Sequence, residues 1–155
     1  MFELAIIIST LGNFISTIII ILMLIIFLFY FKHKKEAAIV FLASSISFLT
    51  TFLLKIIFQI PRPLDALVLE LDYRFPSGHA TTAGAIFTLV LYFSSSYLKN
   101  KTYKHTANIL VLSWLISLCW ARLYLGVHYF VDVLVGSLIG IFTTFLAIYF
   151  INHRK

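Results

Sequence analysis

The chain has 155 residues, of which 61% are hydrophobic and 12% charged, and its mean hydropathy is +1.02. A soluble domain is about 45–50% apolar, so this composition excludes an ordinary water-soluble enzyme and points to a single integral-membrane domain over 1–155. The formal net charge of +6 would suit nucleic acid in a soluble chain. Here the basic residues lie in short clusters between apolar runs, which reads as membrane topology and implies no nucleic-acid partner.

In chain order, the first apolar run is Leu4–Phe31, with no Asp, Glu, Lys, Arg or His. A membrane span needs about 20 such residues. A signal peptide would start with a basic region and have a shorter apolar core. Here the only early charge is Glu3, and the basic "KHKK" follows the run, so the run is expected to be a retained span. Further apolar stretches cover 37–60, 77–98, 106–122 and 128–151. The expected fold is all-α, a polytopic membrane bundle of about five transmembrane helices. Lys32, Lys34 and Lys35 follow the first span, Lys99, Lys101 and Lys104 the third, and Arg154 and Lys155 the fifth. These alternate connections share one side, and positive charge marks the cytoplasm. That puts the N-terminus outside and the C-terminus inside, with the basic loops able to touch anionic lipid. Cys119 is the single cysteine, so no intrachain disulfide forms, and it reads as inert packing. "GSLIG" at Gly136–Gly140 suits close helix contact.

Two connections then face outward, about Pro61–Pro76 and Arg122–His128, and the unusual polar residues gather there. Lys55 lies two turns before Arg62. A lysine at mid-membrane costs at least about 2.5–3.5 kcal/mol; near a helix end it can simply snorkel, but here other cations share its face. Pro76 suits the first turn of a helix. Ser77, Gly78 and His79 would then present backbone N–H groups at a helix N-terminus, where an oxyanion is favoured. Taken alone, "PSGH" is also an ordinary helix start with a capping serine. His128 and Asp132 are four apart and share a face if helical. The carboxylate can then fix the tautomer and free the other ring nitrogen for attack, although such a pair alone can be structural. His79, His128 and Asp132 could also make a two-His-one-carboxylate metal site. Lys55, Arg62 and Arg122 around it would repel a metal cation and attract a phosphate, so the anion reading is preferred and no metal or other cofactor is expected.

In this order, these residues resemble the type 2 phosphatidic acid phosphatase family. Its signature has three parts, matched by "KIIFQIPRP" at Lys55–Pro63, "PSGH" at Pro76–His79 and "ARLYLGVHYFVD" at Ala121–Asp132. The motifs lie within 55–132, about half the chain, and Ala121 stands where the family usually has Ser. The resemblance implies that His128 attacks phosphorus, Asp132 orients and stabilises its imidazolium, and His79 protonates the leaving oxygen. It implies that Lys55, Arg62, Arg122, Ser77 and Gly78 hold the phosphoryl oxygens, without a metal. Many bacterial members have six spans, and this sequence is expected to have one N-terminal span fewer. His33, His105 and His153 read as solvated loop residues.

The expected function is an integral-membrane lipid phosphatase whose partners are the bilayer and a phosphorylated lipid. The resemblance supplies candidate lipids: undecaprenyl pyrophosphate, phosphatidylglycerol phosphate, phosphatidic acid or a lipid A phosphate. In a bacterium it would act at the outer, periplasmic face of the inner membrane. The Pro61–Pro76 connection is too short for a lid domain, which suggests loose head-group selectivity. One rival is a non-catalytic lipid-phosphate binder, which would not need His79, His128 and Asp132 together. Another is a small transporter, which would spread polar residues through mid-bilayer. The same residues occur in soluble vanadium haloperoxidases, so the motif defines a phosphate-like site more firmly than a reaction. The sequence does not state the oligomeric state.

Overall fold

The computed structural model describes residues 1–153, and Phe14 by its backbone only. Arg154 and Lys155, counted above among the cytoplasmic charges, lie outside the described residues. Six helices are described: α1 Phe2–Leu11, α2 Phe14–Tyr30, α3 Lys34–Phe58, α4 Gly78–Tyr97, α5 Lys101–Tyr124 and α6 Phe130–His153.

The first apolar run is therefore two helices, bent by 42°. The break has a local cause at Gly12–Asn13. Asn13 accepts a hydrogen bond from the Ser16 amide at 2.8 Å, capping α2. Asparagine is a strong N-cap because its side-chain oxygen replaces a missing helical acceptor. A second boundary moves at α5, which starts at Lys101 and takes in Lys104 and His105. Asn100 caps it by accepting from the Thr102 amide at 2.8 Å. A third moves at α6, which starts at Phe130, so His128 sits on the turn before the helix.

Helices α3, α5 and α6 are long and apolar enough to cross a membrane, and the bent α1–α2 pair passes the same test of length and composition only when its two helices are taken together. These helices expose many large apolar side chains, among them Met23, Phe41, Phe48, Ile109 and Phe142, as a lipid-facing surface does. Helix α4 is not among the apolar spans. It packs against α3, α5 and α6 and buries small and hydroxyl residues: Ala80, Thr81, Ala83, Gly84, Ala85, Thr88 and Ser94. Its hydroxyls are matched inside the bundle. Thr81 and Thr88 donate to backbone carbonyls at 3.0 Å, and Thr51 donates to Thr81 at 3.2 Å. Unmatched, they would cost too much to bury.

The contact between α4 and α6 is a backbone contact. A Cβ at Gly140 would sit 1.9 Å from the Thr81 carbonyl oxygen, and one at Gly136 would sit 2.5 Å from that of Ser77. The G-x-x-x-G spacing thus brings the second and third turns of α6 against the start of α4. Two apolar clusters mark the ends of the bundle. One joins Ala5, Ala121, Leu125 and Val127; the other joins Ile39, Val40, Leu89 and Ile148.

Candidate active site

The residues expected to form the site lie at one end of the bundle. Lys55 is in the last turn of α3, Ser77 caps α4, Arg122 is in the last turn of α5 and Asp132 is in the first turn of α6. Arg62 and His128 come from the two connections between them. Residues 59–77 form a strap without helix or strand. Backbone bonds fix it: Leu67 N donates to Leu125 O at 2.9 Å, Ser77 N to Asp132 O at 3.1 Å and, within the strap, Arg74 N to Ile60 O at 3.0 Å.

The three cations converge, and each is paired. Lys55 Nζ lies 2.9 Å from Asp72 Oδ2 and also donates to the Tyr73 carbonyl. Arg62 Nη2 meets Glu70 Oε2 at 2.8 Å and also the Asp72 carboxylate. Arg122, with 1% of its side chain exposed, pairs with the Glu70 carboxylate. Burial alone would raise the Glu70 and Asp72 carboxyls, but the neighbouring cations outweigh it and hold both below the usual carboxylate range. Ala121, which lacks the family's hydroxyl, is fully buried against Ala5, Leu125 and Val127. Arg122 nonetheless has a hydroxyl partner, because its Nη1 donates to Ser9 Oγ of α1 at 2.5 Å.

His128 is buried among these cations. Its Nε2 lies 3.2 Å from Arg62 Nη1, which also donates to the Val127 carbonyl at 3.1 Å. A guanidinium can only donate, so Nε2 is assigned as the acceptor and the ring proton goes to Nδ1. Burial pushes this imidazole down to about 4; Asp132 pulls it upward without offsetting that, and Arg62, Arg122 and Lys55 push it further down.

The relation of His128 to Asp132 differs from a pair on one helical face. His128 precedes α6, and its Nδ1 is 3.7 Å from Asp132 Oδ2, beyond hydrogen-bond range. Asp132 is held elsewhere. Arg74 Nη1 donates to both of its carboxylate oxygens at 2.7 Å, and the Tyr129 amide donates to Oδ2 at 2.7 Å. The Arg74 guanidinium also stacks over the Tyr129 ring, 4.6 Å from its centroid. Ser77 is fully buried. Its hydroxyl caps Ala80 at 3.4 Å and its amide donates to the Asp132 carbonyl at 3.1 Å. The helix-start amides left for an anion are those of Gly78 and His79. A Cβ at Gly78 would have Thr51 Cγ2 as its nearest neighbour at 4.0 Å, so the approach there is open. His79 Nε2 is buried without a hydrogen-bond partner, and its ionisable neighbours are Arg122, Glu70 and His128. Among the described residues, no three His, Cys, Asp or Glu side chains gather as metal ligands would.

Sequence reasoning missed Arg74, Glu70, Asp72 and Ser9. The strap did carry a signal: in "LELDYR" the acidic residues alternate with leucines, and Leu69 and Leu71 are 88% and 95% exposed. Ser9 had none, because only the bend at Gly12–Asn13 lays α1 along α5.

A helical bundle with long apolar spans, whose outward faces are apolar and whose motif residues gather at one end, is a polytopic membrane protein. The PAP2 superfamily model matches residues 36–155, and the chain belongs to that superfamily. Residues of this chain are 34% identical over 82 positions to phosphatidylglycerophosphatase B of Bacillus subtilis (strain 168), covering 52% of this chain and 40% of that protein. They are 32% identical over 98 positions to a dihydrosphingosine 1-phosphate phosphatase of Schizosaccharomyces pombe (strain 972 / ATCC 24843), covering 57% of this chain and 24% of that protein. The matched stretches thus span less than half the length of these two relatives. The fold is similar to the crystal structure of the transmembrane PAP2-type phosphatidylglycerolphosphate phosphatase of Bacillus subtilis, with TM-score 0.86 and 25% identity over 99% of this chain and 78% of that one. It is also similar to Aquifex aeolicus LpxE, with TM-score 0.75 and 27% identity over 96% and 85% of the two chains.

Proposed function

We propose that the protein is a membrane lipid phosphatase acting on a terminal phosphate or pyrophosphate through a phosphohistidine. The observation that carries this is the placement of His128 Nε2, 3.2 Å from Arg62 Nη1, with its lone pair turned toward the cations. A phosphate held by Lys55, Arg62 and Arg122 and by the Gly78 and His79 amides would present phosphorus to that nitrogen. Ser77 would join them only by giving up its bond to Asp132. Phosphoryl transfer depends mainly on positioning and charge stabilisation, and this arrangement supplies both. Nε2 attacks phosphorus while the P–O bond to the lipid breaks. His79, whose Nε2 is unpartnered, delivers a proton to the leaving oxygen. Asp132, anchored by Arg74, faces Nδ1 and stabilises the imidazolium that forms. Water then attacks the phosphohistidine, with His79 taking its proton, to release inorganic phosphate.

The proposed topology has five crossings: the bent α1–α2 pair, α3, α4, α5 and α6. The N-terminus is outside and the C-terminus inside. What supports it is that the site-bearing connections lie at one end of the bundle and the exposed Lys32, Lys34, Lys35, Lys99 and Lys101 at the other. In a bacterial cell the site would open on the periplasmic face of the inner membrane. A cysteine beside Glu3 should react with an impermeant thiol reagent in intact cells, and one at Lys101 should not; the opposite pattern refutes this orientation.

The decisive experiment is a phosphate-release panel with the purified protein. It covers phosphatidic acid, phosphatidylglycerol phosphate, polyprenyl pyrophosphate, sphingoid-base phosphate and lipid A, with and without EDTA. Release from at least one lipid, undiminished by EDTA and inhibited by vanadate, is expected. Activity lost to EDTA and restored by a divalent ion would overturn the metal-free mechanism, and no release from any of them would leave a lipid-phosphate binder.

A further inference from the structure

The proposed reaction needs Lys55, Arg62 and Arg122 at the phosphoryl oxygens, yet in this structure the strap already holds all three. Glu70 bridges Arg62, at 2.8 Å, and Arg122. Asp72 bridges Lys55, at 2.9 Å, and Arg62. The two carboxylates thus take the places that phosphoryl oxygens would take. Both lie between the strap's backbone ties at Leu67 and Arg74, on a stretch without helix or strand. The Asp72 side chain is 55% exposed and that of Glu70 25%, so neither is locked in the core. A cavity of about 310 Å³ opens beside Glu70, lined in part by Arg62 and Leu67.

We propose that Glu70 and Asp72 determine specificity: they occupy the cation nest as a phosphate surrogate and admit only lipids whose phosphate is terminal. This rests on the phosphatase reading above and names the substrate feature it selects. The reasoning is one of charge. A phosphate monoester carries about −1.5 to −2 at pH 7, which matches the two carboxylates it displaces. A phosphodiester carries a single charge and has only two unesterified oxygens. It would release two carboxylates from three cations and replace half of their charge. Bilayer phosphodiesters, present in vast excess over any monoester, are thereby kept out. Both carboxyls are held below their usual range by the cations they touch, so the surrogate stays ionised at neutral pH.

The test compares wild type with Glu70→Gln, Asp72→Asn and the double variant in detergent micelles. Three quantities are read: KM for a short-chain phosphatidic acid, inhibition by phosphatidylglycerol as the diester, and vanadate affinity by calorimetry. Part-exposed ion pairs are individually weak, so the double variant is expected to bind vanadate about tenfold more tightly. Its KM should fall by a similar factor, and phosphatidylglycerol, inert toward wild type, should become a competitive inhibitor. Unchanged or weaker vanadate affinity in the double variant would overturn the proposal, as would continued indifference to phosphatidylglycerol. Vanadate binding does not need turnover. A wild-type protein that releases no phosphate, while its double variant binds vanadate more tightly, would sink the phosphatase reading and keep the surrogate. An active wild type with unaltered variants would sink the surrogate alone.

Discussion

The two ends of this bundle hold the same kinds of basic residue in opposite circumstances. At one end Lys32, Lys34, Lys35, Lys99 and Lys101 are exposed and spread over separate helix termini. At the other, Lys55, Arg62 and Arg122 converge, largely buried, on carboxylates and on His128. Exposed cations interact weakly with one another through water and ions, and in the proposed topology they mark the cytoplasmic side. Converging buried cations repel unless an anion lies among them. The structure supplies Glu70 and Asp72, and the proposed reaction would supply phosphate. What separates the two groups is convergence and burial, since their charge is the same.

The largest effect expected of a single substitution falls on His128. His128→Ala should lower phosphate release about a thousandfold or more. Acid-labile phosphate trapped on the wild type by rapid alkaline quenching should be missing from the variant. If His128→Ala turns over normally, the converging end is a binding site and the mechanism is lost.

The contrast between the ends is sharpened by Arg122→Ala against Lys101→Ala. Removing one donor from a charge-stabilising site costs about 10²–10³ in rate, whereas an isolated surface change stays within about 0.5 kcal/mol of stability. Arg122→Ala should therefore lose two to three orders of magnitude in kcat/KM, and Lys101→Ala less than a factor of two. Equal losses would erase the distinction.

A smaller effect separates packing from binding within α4's surroundings. Gly140→Ala places a methyl 1.9 Å from the Thr81 carbonyl. It should cost about 1–3 kcal/mol of stability, read as a lowered Tm. Gly78→Ala meets no protein atom closer than 4.0 Å. It should leave Tm unchanged while raising KM several-fold, because its methyl fills space an oxyanion would take. A fall in Tm for Gly78→Ala would argue against an open cradle there.

The subtlest test uses pH. Burial depresses the His128 imidazole from 6.5 to about 4. It is therefore neutral, and able to attack, at every pH above that value, and protonates only as pH falls through it. The acid limb of kcat/KM, which reports the free enzyme, should lie near 4 once the second ionisation of the substrate phosphate, about 6, is divided out. A limb near 6.5 would mean that His128 is solvated.

The sequence by itself determined the apolar helical chain, the separation of its basic clusters from its motif residues, and the identities Lys55, Arg62, His79, Arg122, His128 and Asp132. Those depend on hydropathy and spacing, which are local. It also located the Gly136–Gly140 contact, because backbone approach between helices needs a residue with no side chain. Only the tertiary structure decided what each polar group touches. Asp132 was expected to hold His128, but it is held by Arg74, 58 residues earlier in the chain. Ser9 reaches Arg122 across 113 residues, and Glu70 reaches it across 52. Pairings at such separations leave no periodicity to read. They arise because desolvated charge takes whichever partner the packed helices and their strap bring within reach.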